Sequence, residues 1–211
     1  MGEMIVNNYI LYAPEALILP LTVTTVAFIM RWTWLLCLGV FIIGSMLMFY
    51  RGAAIDTSTF PSHALICPCD GKILGMQEYD EYVQIAIFLN IHNIHVQYAP
   101  VDGVIVKQEY FKGQFHPAYM FEKSQYNERM ETTFSTYIGN VKMVQIAGQV
   151  ARRIITFVSL NSKVKRGDPY GLIKFGSRVD MWVPKRKIEE IVVKEGDRVR
   201  IGDTLMTFMP F

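Results

Sequence analysis

The chain has 211 residues and a formal net charge of +2. That length sets one domain, or one domain with an appendage. The near-neutral charge, without a basic stripe carrying interleaved aromatics, sets nucleic acid aside as a partner. Three cysteines, Cys37, Cys67 and Cys69, are too few and too odd in number for a disulfide framework. With His63, His92, His95 and His116 they make no zinc spacing, so no metal is expected. They read as reduced packing residues, which fits a reducing compartment.

Residues 16–30 and 32–49 carry no charge, and only Arg31 separates them. As helices they would span about 22 Å and about 27 Å at 1.5 Å per residue. Each is slightly short of a bilayer core of about 30 Å. Trp32 and Trp34 beside Arg31 supply the chemistry of a membrane interface. The expectation for residues 1–52 is a helical hairpin that enters the membrane, turns near 31–34 and returns. A single tilted anchor is the rival, and a buried helix pair in a soluble domain is the bland reading. A cleaved signal peptide is disfavoured, because the first residues are not basic and the apolar stretch runs on too far.

From residue 53 the character changes. The segments 83–91, 141–148 and 152–159 are short, alternating and β-branched, with Gly, Pro, Asn and Asp between them. That is the pattern of an all-β sandwich or barrel. Only 118–127 reads as a short turn of helix. Val164-Lys-Arg-Gly167-Asp168 is echoed by Val199-Arg-Ile-Gly202-Asp203, and a short hydrophobic strand follows each, over 170–175 and 204–209. Gly-Asp suits a tight turn between strands. The pattern resembles the turns of barrel-sandwich hybrid folds such as lipoyl and biotinyl domains. The expected fold is mainly β: a barrel-sandwich-hybrid-like catalytic domain over 53–211, preceded by the helical membrane hairpin.

Three segments carry candidate chemistry. Gly176-Ser177 lies inside the stretch 170–184; alone, a Gly before a Ser is an ordinary turn. His92 and His95 lie three apart in 90–100. In an extended segment they would face opposite sides and share no metal. Pro68-Cys69-Asp70-Gly71 contains an Asp-Gly that is most often only a turn. Together they supply a Ser, a His and an Asp, the minimum set for an activated nucleophile. No G-x-S-x-G elbow occurs, so the set points away from ordinary ester hydrolysis.

The stretch 145–184, QIAGQVARRIITFV followed by KVKRGDPYGLIKFGSRVDMWVP, resembles the C-terminal core of short-form phosphatidylserine decarboxylases. CPCDGKI (67–73) resembles that family's P-x-D-G element, and 88–105 its histidine element. GQFHPAYMFEKSQYNERM (113–130) resembles its G-x-F…N-E-R block, and the apolar pair ending at Phe49-Tyr50-Arg51 its membrane segment. The resemblance covers roughly residues 10–209. The chain departs from the family at Met130, where Asn often follows N-E-R, and at Tyr98, where Arg is frequent. His92 and His116 stand where many short forms carry apolar residues.

The resemblance implies a mechanism. Ser177 would attack the Gly176 carbonyl, with His95 as general base and Asp70 holding the His95 tautomer. The zymogen would thereby cut itself between 176 and 177, giving chains 1–176 and 177–211. Ser177 would become a covalent pyruvoyl cofactor, the electron sink for decarboxylating phosphatidylserine to phosphatidylethanolamine and carbon dioxide. His95, and after it His92, would return the proton. The implied partners are phosphatidylserine, the bilayer, the protein's own second chain and a second copy in a homodimer, at the cytoplasmic face of the cell membrane. Arg31, Arg51, Lys72 and Arg178 are either head-group contacts or solvated charges. Three rivals stay open. They are a degenerate, non-catalytic membrane-tethered module, a Ser-His-Asp hydrolase, and the same chemistry on archaetidylserine. A carrier domain would need a modified lysine at a hairpin tip, and Lys142-Met143 lies instead in a strand-like run.

Overall fold

A computed structural model describes residues 8–209 except 54, 57, 58, 62, 150–152 and 175. Arg152 and Phe175, expected at strand ends, lie outside the described residues. The chain divides into two compact units, Met1–Ala54 and Ile55–Phe211.

The first unit is a pair of helices, α1 (Glu15–Ile29) and α2 (Thr33–Phe49). They approach closely at Gly39, where an added Cβ would sit 2.1 Å from Thr24 Oγ1. The ends of the unit meet too, since Tyr9 N–H donates to the Tyr50 carbonyl at 2.8 Å. The turn is closed by Trp32 N–H on the Ala27 carbonyl and Arg31 N–H on the Phe28 carbonyl, with Arg31 at φ 59°. That is a Schellman cap with Arg in the place glycine usually takes. The hydroxyls of Thr22, Thr24, Thr25 and Ser45 each donate to the carbonyl four residues back. These four hydroxyls are thereby satisfied within a mostly apolar pair. Ile18, Leu19, Phe28, Trp34 and Phe41 remain exposed. The expected helices are present, but they have 15 and 17 residues, and no helix among the described residues is long and apolar enough to cross a membrane.

The second unit is mainly β. Its elements are β1 (Ala64–Ile66), β2 (Gly71–Glu78), β3 (Tyr82–Leu89), β4 (Val96–Tyr98), β5 (Gly103–Phe111), α3 (Phe121–Ser124), β6 (Arg129–Thr136) and β7 (Gly139–Ile146). There follow β8 (Ile154–Thr156), β9 (Lys163–Val164), β10 (Pro169–Ile173), β11 (Ser177–Pro184), β12 (Ile188–Ile191), β13 (Arg198–Val199) and β14 (Thr204–Phe208). The strands form one large antiparallel sheet, β13-β2-β3-β11-β7-β6-β5-β9, and two small ones, β1-β14-β12 and β4-β10-β8. β11 lies inside the large sheet between β3 and β7, which is why Ser177–Val183 is almost wholly buried. Lys142 lies within β7 and at no hairpin tip.

The two small sheets are copies of each other. The pairs Ala64↔Thr207, Ile66↔Thr204 and Gly71↔Val199 correspond to Val96↔Leu172, Tyr98↔Pro169 and Gly103↔Val164. One constant offset relates the first partners (64 to 96) and another the second (207 to 172). The sequence carries the duplication. His63-Ala-Leu-Ile-Cys67-Pro68-Cys69-Asp70-Gly71 matches His95-Val-Gln-Tyr-Ala99-Pro100-Val101-Asp102-Gly103 in its His, Pro, Asp and Gly.

The V-x-x-G-D turns are the hinges of each copy. Gly167 and Gly202 sit at φ 88° and 91°. Asp168 Oδ2 accepts from Lys165 N–H, and Asp203 Oδ2 from Arg200 N–H. A third such turn, Val193–Asp197, has the same bond from Lys194 N–H to Asp197 Oδ2, with Gly196 at φ 92°.

Candidate active site

Asp70 stands just before β2. Its Oδ1 accepts from Ile201 N–H at 3.0 Å. The duplicate residue Asp102 does the same for Arg166 N–H at 2.6 Å. One Asp70 oxygen is therefore committed to the architecture that Asp102 repeats.

His95 is fully buried just before β4. Its Nδ1 lies 2.8 Å from the Asn93 carbonyl. A carbonyl can only accept, so Nδ1 carries the proton and Nε2 of the neutral ring carries the lone pair, as a general base requires. This tautomer is held by Asn93 and not, as expected, by Asp70, and neither Asp70 nor Ser177 hydrogen-bonds the His95 ring among the described residues. The backbone of His95 is held as well. Gln97 Nε2 donates to its carbonyl, and Gln145 Nε2, from β7, donates to Gln97 Oε1 at 2.8 Å.

His92 differs from its expected setting. Residues 90–94 are not extended. Asn93 N–H bonds the Asn90 carbonyl, and Asn90 N–H bonds Asn93 Oδ1. Two asparagines close a turn here, so strand alternation does not apply to the two histidines. His92 instead shares a cleft of about 420 Å³ with Asp70.

Ser177 begins β11, opposite Leu89 of β3. It is fully buried, and its Oγ has no hydrogen-bond partner among the described residues. A buried hydroxyl without a partner costs stability and calls for a reason. The residue before it supplies one. Gly176 is left-handed, at φ +62°, where side chains are rarely tolerated. Gly148 lies against its carbonyl: a Cβ on Gly148 would stand 1.9 Å from the Gly176 oxygen and 3.0 Å from its carbon. Only glycine at 148 leaves that carbonyl room. Beside Gly176 is a small apolar cavity of about 190 Å³ bordered by Phe88, Leu89, Ile91, Ala118 and Tyr119. Phe88 and Asn90 border both this cavity and the Asp70–His92 cleft.

Arg178 is no head-group contact. It is 2% exposed and pairs with Asp180 at 2.8 Å. It also donates to Ser124 Oγ at 2.6 Å and the Phe121 carbonyl at 2.9 Å, and packs over the Phe121 ring. Burial pushes the Asp180 carboxyl above the ordinary carboxylate range, with Arg178 and Gln84 opposing it. This cluster fastens the residue after Ser177 to α3, just beyond Pro117–Tyr119 on the cavity wall. Cys67 and Cys69 are buried packing residues, as expected, whereas Cys37 is exposed.

Three features were not read from the sequence: Gly148, the Asn93 carbonyl and the Arg178–Asp180 pair. The last had a signal, because residues two apart on a strand share a face and an Arg-x-Asp spacing can pair there.

The fold and site thus define a class: a β-rich protein with a buried seryl hydroxyl directly after a left-handed glycine carbonyl. The sequence profile described as phosphatidylserine decarboxylase matches residues 47–207. A phosphatidylserine decarboxylase proenzyme of Burkholderia mallei (strain SAVP1) is 38% identical over 156 residues, 71% of each chain. One from Burkholderia multivorans is 38% identical over 151 residues, 68% of this chain and 70% of that one. A Methanopyrus kandleri protein bearing the archaetidylserine decarboxylase proenzyme name is 34% identical over 184 residues, 80% of this chain and 83% of its own. The chain belongs to the phosphatidylserine decarboxylase family.

Proposed function

We propose that this protein cuts itself between Gly176 and Ser177 and then decarboxylates phosphatidylserine. The observation that carries the reading is the buried, unpartnered Ser177 Oγ placed directly after the left-handed Gly176. Ser177 Oγ attacks the Gly176 carbonyl carbon while His95 Nε2 takes the hydroxyl proton. The peptide C–N bond breaks, and the nitrogen of residue 177 receives that proton, leaving an ester. Loss of the α-proton and cleavage of the Cβ–Oγ bond give Gly176 a carboxylate. Hydrolysis of the resulting enamine releases ammonia and leaves a pyruvoyl group at 177. The pyruvoyl group supplies the electron sink for loss of carbon dioxide.

The chain's own residues fit this role. Burial strips water from Ser177, Arg178 keeps the new chain start in place, and His95 or His92 returns a proton to the product carbon. Asp70 lines the His92 cleft, with Oδ1 held by Ile201 N–H. The β unit is assigned to the barrel-sandwich-hybrid kind, which the duplicated small sheets and V-x-x-G-D turns support. The protein is assigned to the cytoplasmic face of the cell membrane; the exposed apolar side chains of α1 and α2 support membrane association itself, since helices apolar all round need a cover.

Intact mass of purified protein tests the reading. Two chains, 1–176 and 177–211, are expected, and the shorter should lack a free amino group. Ser177→Ala should remain whole and form no phosphatidylethanolamine. An uncleaved wild-type chain that still decarboxylates phosphatidylserine would overturn the pyruvoyl mechanism. Running the assay on archaetidylserine separates the ester-lipid from the ether-lipid substrate.

A further inference from the structure

The cleft beside the Gly176 cavity carries three cations that have no acidic partner. Lys72, Arg198 and Arg200 all border it, all are exposed, and none forms an ion pair among the described residues. Arg198 and Lys72 are direct partners across the β13–β2 pair. Like charges directly opposite on neighbouring strands destabilise a sheet. Two carboxylates line the same cleft, each with one oxygen engaged by backbone, so three cations face two anions and the cleft keeps a net positive charge. Asp70 Oδ1 accepts from Ile201 N–H, and Asp203 Oδ2 accepts from Arg200 N–H. The cations are thus held side by side on a strand pair and its turn, facing a space of about 420 Å³ that has room for a phosphodiester.

We propose that Lys72, Arg198 and Arg200 form a binding site for the phosphodiester of the lipid head group. The assignment rests on the proposed decarboxylase reading, which supplies the lipid. Arg presents a planar fork matched to phosphate oxygens, and Lys adds a point charge. Position supports it further. The cleft and the apolar cavity share Phe88 and Asn90 as lining, so they are neighbours, and a ligand with its phosphate among the cations would have its serine on the side of Gly176–Ser177. His92, on the same cleft, would then lie next to the bound head group.

The test measures binding of sn-glycero-3-phosphoethanolamine to the full wild-type protein by calorimetry. This deacylated product carries the phosphodiester but no carboxylate to lose. Lys72→Ala, Arg198→Ala and Arg200→Ala should each weaken it about fivefold, the effect of one basic residue near an anionic surface. The affinity should also fall as salt is raised. Inorganic phosphate forms the second arm. Weaker binding than the diester, with the same losses in the variants, fits a lipid phosphate site; equal or tighter binding overturns the head-group assignment. Wild-type affinity in all three variants overturns the site. Because the probe needs no turnover, an inactive or uncut wild-type protein would sink the decarboxylase reading while this binding result stood by itself. In the active protein the same variants should raise KM for a water-soluble short-chain phosphatidylserine rather than lower kcat.

Discussion

Gly148 is the residue whose replacement separates geometry from chemistry most cleanly. It touches no proton and donates nothing to the reaction, yet a Cβ there would overlap the Gly176 oxygen. Gly148→Ala should displace that carbonyl and slow self-cleavage about a hundredfold, the usual cost of an ångström of misplacement. Gly75→Ala is the control, since nothing lies within 4 Å of its added Cβ. Timed intact-mass measurement reads both, and cooperative melting confirms that each variant folds. Gly148→Ala cut at the wild-type rate would show that the close approach has no bearing on the reaction. At this scale the motifs around Ser177, His95 and Asp70 were legible because they repeat a known pattern, but their contacts were not: His95 Nδ1 faces the Asn93 carbonyl, and Asp70 Oδ1 is taken by Ile201 N–H. The sequence was illegible where function lies in empty space. A glycine between Ala147 and Gln149 looks like any loop glycine until the distant carbonyl it spares is in view. Arg178 was misjudged because charge suggests solvent, and only the packing of α3 over β11 shows that it is enclosed.

Turns show the same division among elements. Two V-x-x-G-D copies stood out in the sequence because each precedes a clear strand. The third, Val193–Asp197, escaped because only Arg198 separates it from the next copy, so the two read as one polar run. The duplication of the small sheets was hidden for a related reason. Its halves share the turn-forming Pro, Asp and Gly, while their strand positions differ, Ala-Leu-Ile in β1 against Val-Gln-Tyr in β4. In the helical unit, length and apolarity were legible, and the turn conformation was not. Arg31 occupies the left-handed position of a Schellman cap, where a side chain costs about 1–2 kcal/mol. Arg31→Gly should therefore stabilise the hairpin by about 1 kcal/mol, after allowing for glycine's greater freedom when unfolded. Thermal loss of the far-ultraviolet helical signal is the measurement. An unchanged or lower midpoint would mean that Arg31 makes a compensating contact.

For the whole molecule, the proposed cut falls at the start of a strand with neighbours on both sides. β11 pairs with β3 and β7, while β12, β13 and β14 of the same short chain pair with one another or with β1 and β2. The chains should therefore stay together without a peptide link. They should co-elute under native conditions and part only in denaturant. Separation of 177–211 in plain buffer would contradict this arrangement of the sheet.

Cut there as proposed, the protein would keep in that interior strand a memory of how it was made. An unbroken chain delivers β11 to its slot as part of itself, so recovery from denaturation is first order and independent of concentration. Once divided, the two pieces must find each other, and the larger must hold open a gap in the middle of its sheet while they do. Regain of structure then becomes second order and competes with aggregation of an exposed sheet edge. For a chain cut as proposed, folding first and dividing afterwards is thus the only efficient sequence of events, and what the divided protein loses on heating it should recover poorly, whatever its equilibrium stability.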